Sequence, residues 1–179
     1  MTKNSKKISA SFIFIASTIL IAAASRLFPH IPNFTPIAAM ALFGGVYFSD
    51  KRLAIVLPLI AMILSDIAIQ LIYGWGFHNT IIYVYVAFIL TSFIGIMLRT
   101  KVGLLSVASG SIISSILFFI ITNFGVWAAS GFQLGINGLN GIYLLGIPFF
   151  APTLIGDLFF NGILFGSFYW LFSKTYKIA

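Results

Sequence analysis

RLFPHIPNFTPIAAMALFGG, residues 26–45, places an arginine, a histidine, an asparagine and three prolines in an otherwise apolar neighbourhood. ISASFIFIASTILIAAAS runs before it, and beyond Pro36 the chain is apolar again as far as Phe48. A stiff polar elbow between two apolar segments could belong to a soluble helical core, but the composition decides against that. Of 179 residues, 60% are hydrophobic and 7% charged, whereas a soluble domain carries about 25% charged residues to cover its water-facing surface. The solvent of this chain is therefore lipid. The formal charge of +7 does not mark a nucleic-acid partner, because the basic residues stand in small groups between apolar runs. The absence of cysteine excludes disulfides, thiolate catalysis and Cys-ligated zinc.

Apolar runs near 8–28, 33–49, 53–73, 80–98, 102–129 and 148–172 each read as a span, at about 1.5 Å per residue against a hydrocarbon core of about 30 Å. The glycine-rich GFQLGINGLNGIYLLG reads as the connection before the last of them. The expected fold is a single-domain (1–179), all-α integral membrane protein with six transmembrane helices. Lys3, Lys6 and Lys7 precede the first run, and Lys51 with Arg52 follows the second. Arg99 and Lys101 follow the fourth, Lys174 and Lys177 the sixth. Basic residues thus gather at every second connection, which places the N and C termini in the cytoplasm. MTKNSKK and the run after it also fit a cleavable signal peptide, although that run exceeds the usual length of about 7–15 residues. Thr35 as N-cap and Pro36 in the first turn mark the start of the second helix. PHIPNF is then non-helical backbone at the outer rim. Such backbone is tolerated at membrane depth only where it is buried in protein or lines a wet cavity, so the elbow is expected to line a cavity.

Three ionisable residues fall inside the spans: Arg26, Asp66 and Asp157. Charges there are costly, which makes each a candidate for function. Asp66, Gln70 and Tyr73 share one helix face at i, i+4, i+7; Thr153, Asp157 and Asn161 share another at i, i+4, i+8; Asn123 and Trp127 pair at i, i+4. Counting along the helices puts Asp66 and Asn123 about 10 Å from the outer ends of their spans and Asp157 about 14 Å down its own. Together with His30, Asn33, Trp75 and His78 from the outer connections, these are the candidate substrate-binding residues of an outward-facing pocket. No catalytic residue, metal or cofactor is expected. Aromatic contact would come from Tyr73, Trp75, Trp127, Phe149 and Phe150. Asp66 is expected to pair with Arg26, which leaves Asp157 for a cationic group on a solute or for a proton. Plain structural roles compete at each position: Arg26 snorkelling to headgroups, the aspartates and Asn123 bonding between helices, the histidines and tryptophans lining the rim. SVASGSIISS, with Gly110/Ser114 and Ser111/Ser115 four apart, reads as a close helix-packing stripe.

Six short spans, inside termini and an outward pocket resemble the substrate-binding S components of energy-coupling-factor (ECF) transporters. RLFPHIPNFTPIAAMALFGG, LSD at 64–66, TNFGVW at 122–127, and IPFF and GDLFFNG between 147 and 162 carry a more specific likeness. On these, nearly the whole chain is similar to an uncharacterised bacterial family of transport proteins related to S components. The resemblance implies an ECF S-component-like bundle in the bacterial inner (cytoplasmic) membrane. It would bind a small solute, vitamin-like or another micronutrient, for uptake, and the loop after the first span would help to cover the ligand. The resemblance also implies a coupling module, a transmembrane T subunit with ATPases, as a partner. The alanines four apart through which many S components dock are absent, however: Ala10 is followed at +4 by Phe14, and Ala16 by Leu20.

Other chemistries fit less well. No GxxxxGK[ST] loop occurs, so the chain does not hydrolyse ATP by itself. Residues 154–157 read LIGD where intramembrane aspartyl proteases carry GxGD, and Asp66 lacks the tyrosine that precedes the other aspartate in those enzymes. A hydrolytic metal needs three or more convergent ligands, and His30, His78, Asp66 and Asp157 stand on separate segments. The principal alternative to transport is a membrane assembly subunit with no ligand; proteolysis is the lesser one.

Overall fold

The computed structural model describes residues 10–172. The basic clusters Lys3, Lys6, Lys7 and Lys174, Lys177 lie outside the described residues, as does the start of the first expected span. Among the described residues there are six helices and no strand: α1 (Ala10–Ser25), α2 (Ile37–Tyr47), α3 (Lys51–Tyr73), α4 (Ile81–Leu98), α5 (Leu104–Ala129) and α6 (Gly135–Phe172). The last four are long and apolar enough to cross a membrane, while α1 and α2 are shorter apolar helices. The outside of the bundle is itself apolar, with Leu71, Met97, Leu104, Leu105 and Trp170 among the large side chains left exposed. Water does not tolerate apolar exposure on this scale, and lipid requires it.

The expected span at 33–49 is helical only from Ile37 to Tyr47. At about 1.5 Å per residue this helix is about 16 Å long, roughly half of a 30 Å core. Instead of facing lipid it is the centre of the bundle: every residue from Ala38 to Val46 is buried. Its first turn corrects the expected cap. Pro36, not Thr35, occupies the cap position, no side chain bonds there, and Met40 N donates to Pro36 O at 2.9 Å. The far end is closed by a residue from another helix. Arg99 Nε donates to Gly45 O at 2.8 Å, Nη1 to Ser49 O at 3.0 Å and Nη2 to Phe48 O. A guanidinium thus satisfies carbonyls that a helix end leaves open and sets a positive charge against the negative end of its dipole.

Small residues let α2 sit this deep. A methyl group on Gly45 would lie 2.8 Å from Gly95 Cα of α4, so these two helices touch backbone to backbone. Gly110, Ser111, Ser114 and Ser115 of α5 are all buried, as the packing stripe predicts. Aromatic rings fill the other flank, where Tyr47 stacks on Phe168 at 3.8 Å and Phe43 meets Phe165 edge-on at 5.2 Å.

α6 corrects a second expectation. The glycine-rich stretch is a connection only as far as Gly135. Gly131, Phe132 and Gly135 make the turn with φ of 65°, 61° and 58°, and helix follows without a break to Phe172. Glycine costs a helix about 1 kcal/mol relative to alanine, so composition argued for a loop. Tertiary contact offsets it: Tyr143 OH donates to Ile120 O of α5 at 2.7 Å, and its ring meets Phe119 edge-on. The 38 residues of α6 amount to about 57 Å, so α6 cannot stand upright within a core of about 30 Å.

Candidate functional site

The elbow, the connection 74–80, and the adjoining parts of α3, α4, α5 and α6 surround a cavity of about 720 Å³ at one end of the bundle. Small-molecule sites occupy roughly 300–1,000 Å³. The elbow is shaped by its own sequence. Phe34 N donates to Ile31 O at 3.0 Å across Pro32 and Asn33, and Asn33 has a φ of 64°. Proline second and a left-handed asparagine third is the residue pattern of a type II turn. Two anchors fasten this turn. The Phe34 ring packs on Phe159 and Phe160, each at 5.5 Å, while Tyr73 OH donates to Leu27 O at 2.7 Å. Gly156 lets the elbow come close: a methyl group there would lie 3.2 Å from Phe34 Cα and 3.3 Å from Thr35 N. That contact is one residue from Asp157.

Arg26 and Asp66 form the expected ion pair, Nη2 to Oδ1 at 2.7 Å, with their side chains 10% and 3% exposed. Arg26 Nη1 also reaches Met62 Sδ at 3.1 Å and donates to Ser65 Oγ. The second carboxylate oxygen of Asp66 accepts from Tyr85 OH at 2.8 Å. Both oxygens of Asp66 are therefore engaged. Asp157 differs. It is 1% exposed, lines the cavity and accepts from Ser115 Oγ at 2.6 Å through Oδ2. Among the described residues no cationic side chain pairs with it.

Ten of the thirteen candidate residues line the cavity: Arg26, His30, Asn33, Asp66, Tyr73, Trp75, His78, Asn123, Thr153 and Asp157. The other three have structural work elsewhere. Gln70 Oε1 accepts from Phe77 N at 3.1 Å and holds the connection after α3. Trp127 Nε1 donates to Gly135 O at 2.9 Å and ties the end of α5 to the start of α6. Asn161 lies one turn below Asp157, buried against α5, where Nδ2 donates to Ser111 Oγ at 3.0 Å and Oδ1 has no protein partner. Its helix face was read correctly, but the floor of the cavity closes above it. Phe149 is on the wall, whereas Phe150 stands behind it against the Phe119 ring at 5.3 Å.

At the rim, His30 Nδ1 bonds Phe28 O at 2.7 Å and His78 Nδ1 bonds Thr80 Oγ1 at 2.9 Å. Asn123 Nδ2 donates to Phe119 O at 2.8 Å, and only a glycine at 146 leaves room for its Oδ1. Sequence reasoning missed Tyr85, Ser65 and Met62, the supports of the ion pair, and Phe118, Phe119 and Thr122 on the wall. Ser65, directly before Asp66, and the hydroxyl of Tyr85 within an apolar helix were the available signals.

Fold and cavity together define an all-helical membrane protein with a largely apolar chamber, set with a few polar and charged groups, at one end of its bundle. The chain belongs to the Family of unknown function (DUF6580), which it matches over residues 6–178. No curated protein and no solved structure matches it.

Proposed function

We propose that this protein spans the bacterial inner membrane six times, with both termini in the cytoplasm, and captures a small water-soluble solute from outside for uptake. The cavity end is then the outer face, and the basic residues Lys51, Arg52, Arg99 and Lys101 belong to the cytoplasmic side. The elbow acts as the cover. This is the arrangement implied by the resemblance to ECF S components, with the energy source left open by the missing alanine pattern of α1.

The observation that carries this reading is the cavity itself. Its wall is mostly apolar and aromatic, with a few polar groups set into it, as small-molecule sites are. A subunit that served only assembly would gain nothing from an open chamber of about 720 Å³ that sets charged side chains within the bundle, where they are costly. Proteolysis is disfavoured because Asp66 is already engaged by Arg26 and Tyr85, whereas an aspartyl dyad needs two close carboxyls sharing one proton.

Thermal unfolding in detergent, read across a panel of amines, carboxylic acids, sugars, nucleosides and vitamins, tests the reading. At least one solute should stabilise the wild type, by about 2.7 kcal/mol at a hundredfold excess over Kd. The same solute should bind more weakly to Thr153→Trp, which puts an indole into the cavity. A silent panel, with Thr153→Trp at least as stable as the wild type, would favour an assembly role instead.

A further inference from the structure

We propose that the solute is a cation: a protonated or quaternary amine on an apolar, ring-sized body, held by Asp157 at the deep end of the cavity. The inference rests on the reading of the cavity as a solute site and goes beyond it by naming the chemical class. Arg26 and Asp66 cancel each other at 2.7 Å. His30 and His78 are rim residues whose ring nitrogens bond Phe28 O and Thr80 Oγ1. Asp157 is left over, with one serine hydroxyl as its support. An unbalanced buried carboxylate is costly, and a ligand that brings the opposite charge removes that cost on binding.

The neighbours of Asp157 favour an organic cation over a metal ion. Ser115, which donates to it, stands about one helical turn along α5 from Phe118 and Phe119, whose side chains line the cavity further from its floor. Phe149 lies two turns away along α6 on the same face as Thr153 and Asp157. All three rings line the cavity. A carboxylate at the deep end of an aromatic wall suits a cation carried on an apolar body, the charge meeting Asp157 and the body packing against the rings. Calcium and magnesium want six or more oxygen ligands and zinc three or four protein ligands, and among the described residues no three His, Cys, Asp or Glu side chains converge.

The test uses three matched probes on the full chain in detergent: 2-phenylethylamine, 2-phenylethanol and phenylacetate. Binding is read by thermal shift and by equilibrium dialysis. The amine should bind the wild type in preference to the alcohol, and the acid should not bind. Asp157→Asn keeps the shape and still accepts from Ser115, so it should fold and lose roughly 10- to 100-fold in affinity for the amine. Its preference for amine over alcohol should vanish. Equal binding of amine and alcohol by the wild type, no binding of the amine, or a preference that survives Asp157→Asn would overturn the proposal. In each of those cases a neutral or anionic member of the wider panel that stabilises the wild type would leave the solute-binding reading standing.

Discussion

Replacing Arg26 with methionine isolates the ion pair on which the cavity wall depends. Methionine keeps the apolar stem of the side chain but leaves Asp66, 3% exposed, with Tyr85 as its remaining side-chain donor. Removing one member of a buried pair costs about 3–5 kcal/mol, because the other stays buried without compensation. Arg26 is 10% exposed and the pair borders a cavity, so water can reach in and the lower value applies. At about 2–4 °C per kcal/mol for a chain of this length, a loss of about 3 kcal/mol lowers Tm by about 6–12 °C. The double variant Arg26→Met with Asp66→Asn carries neither charge and should recover most of that loss, since Tyr85 can still donate to the asparagine oxygen. Tryptophan-fluorescence unfolding in detergent reads both. A single variant within 2 °C of the wild type, or a double variant as damaged as the single, would show that Arg26 does not offset the charge of Asp66.

Other positions give sharper contrasts. Arg99→Met removes all side-chain donors from the end of α2 and should cost at least about 1.5–3 kcal/mol, the range for bonds to a charged group; no change in Tm would show that water caps α2 as well. Gly95→Ala should destabilise, because overpacking at about 1–3 kcal/mol outweighs a helix gain of up to about 1 kcal/mol. Gly141→Ala, with no atom within 4 Å of the new methyl, should stabilise by that gain, and the same unfolding assay separates the two. Pro32→Gly frees the elbow turn at a cost of about 0.4–1 kcal/mol, which weakens the affinity of any stabilising solute by up to about fivefold and leaves the amount of inserted protein unchanged.

The long helices and the polar stripes were legible because periodicity survives in lipid as it does in water. Asp66 and Tyr73 share a face in sequence and line one wall in space; so do Thr153 and Asp157. The pairing of Arg26 with Asp66 followed from charge and depth alone. What hydropathy could not distinguish is an apolar segment facing lipid from one buried in protein, so nothing in the sequence of α2 announces that its 11 helical residues lie at the centre of the bundle. Glycine count misled at the start of α6, where tertiary contacts outweigh propensity. Arg99 read only as a topology charge, since nothing local to residue 99 announces that the carbonyls at 45, 48 and 49 lie within its reach. Asn161 shows the remaining limit. It shares a helix face with Asp157, but the place where a cavity floor closes depends on the partner helix, here at Ser111 and Ser115.

The proposed outward opening of the chamber can be measured directly, because the sequence contains no cysteine. Single cysteines are introduced as Thr153→Cys on the cavity wall and Ser49→Cys between α2 and α3, and each is exposed in intact cells to a membrane-impermeant, positively charged thiol reagent. The cysteine at 153 should be labelled in intact cells, and the one at 49 only after the membrane is permeabilised. Labelling at 49 in intact cells with 153 protected until permeabilisation would contradict the claim, because the chamber would then face the cytoplasm.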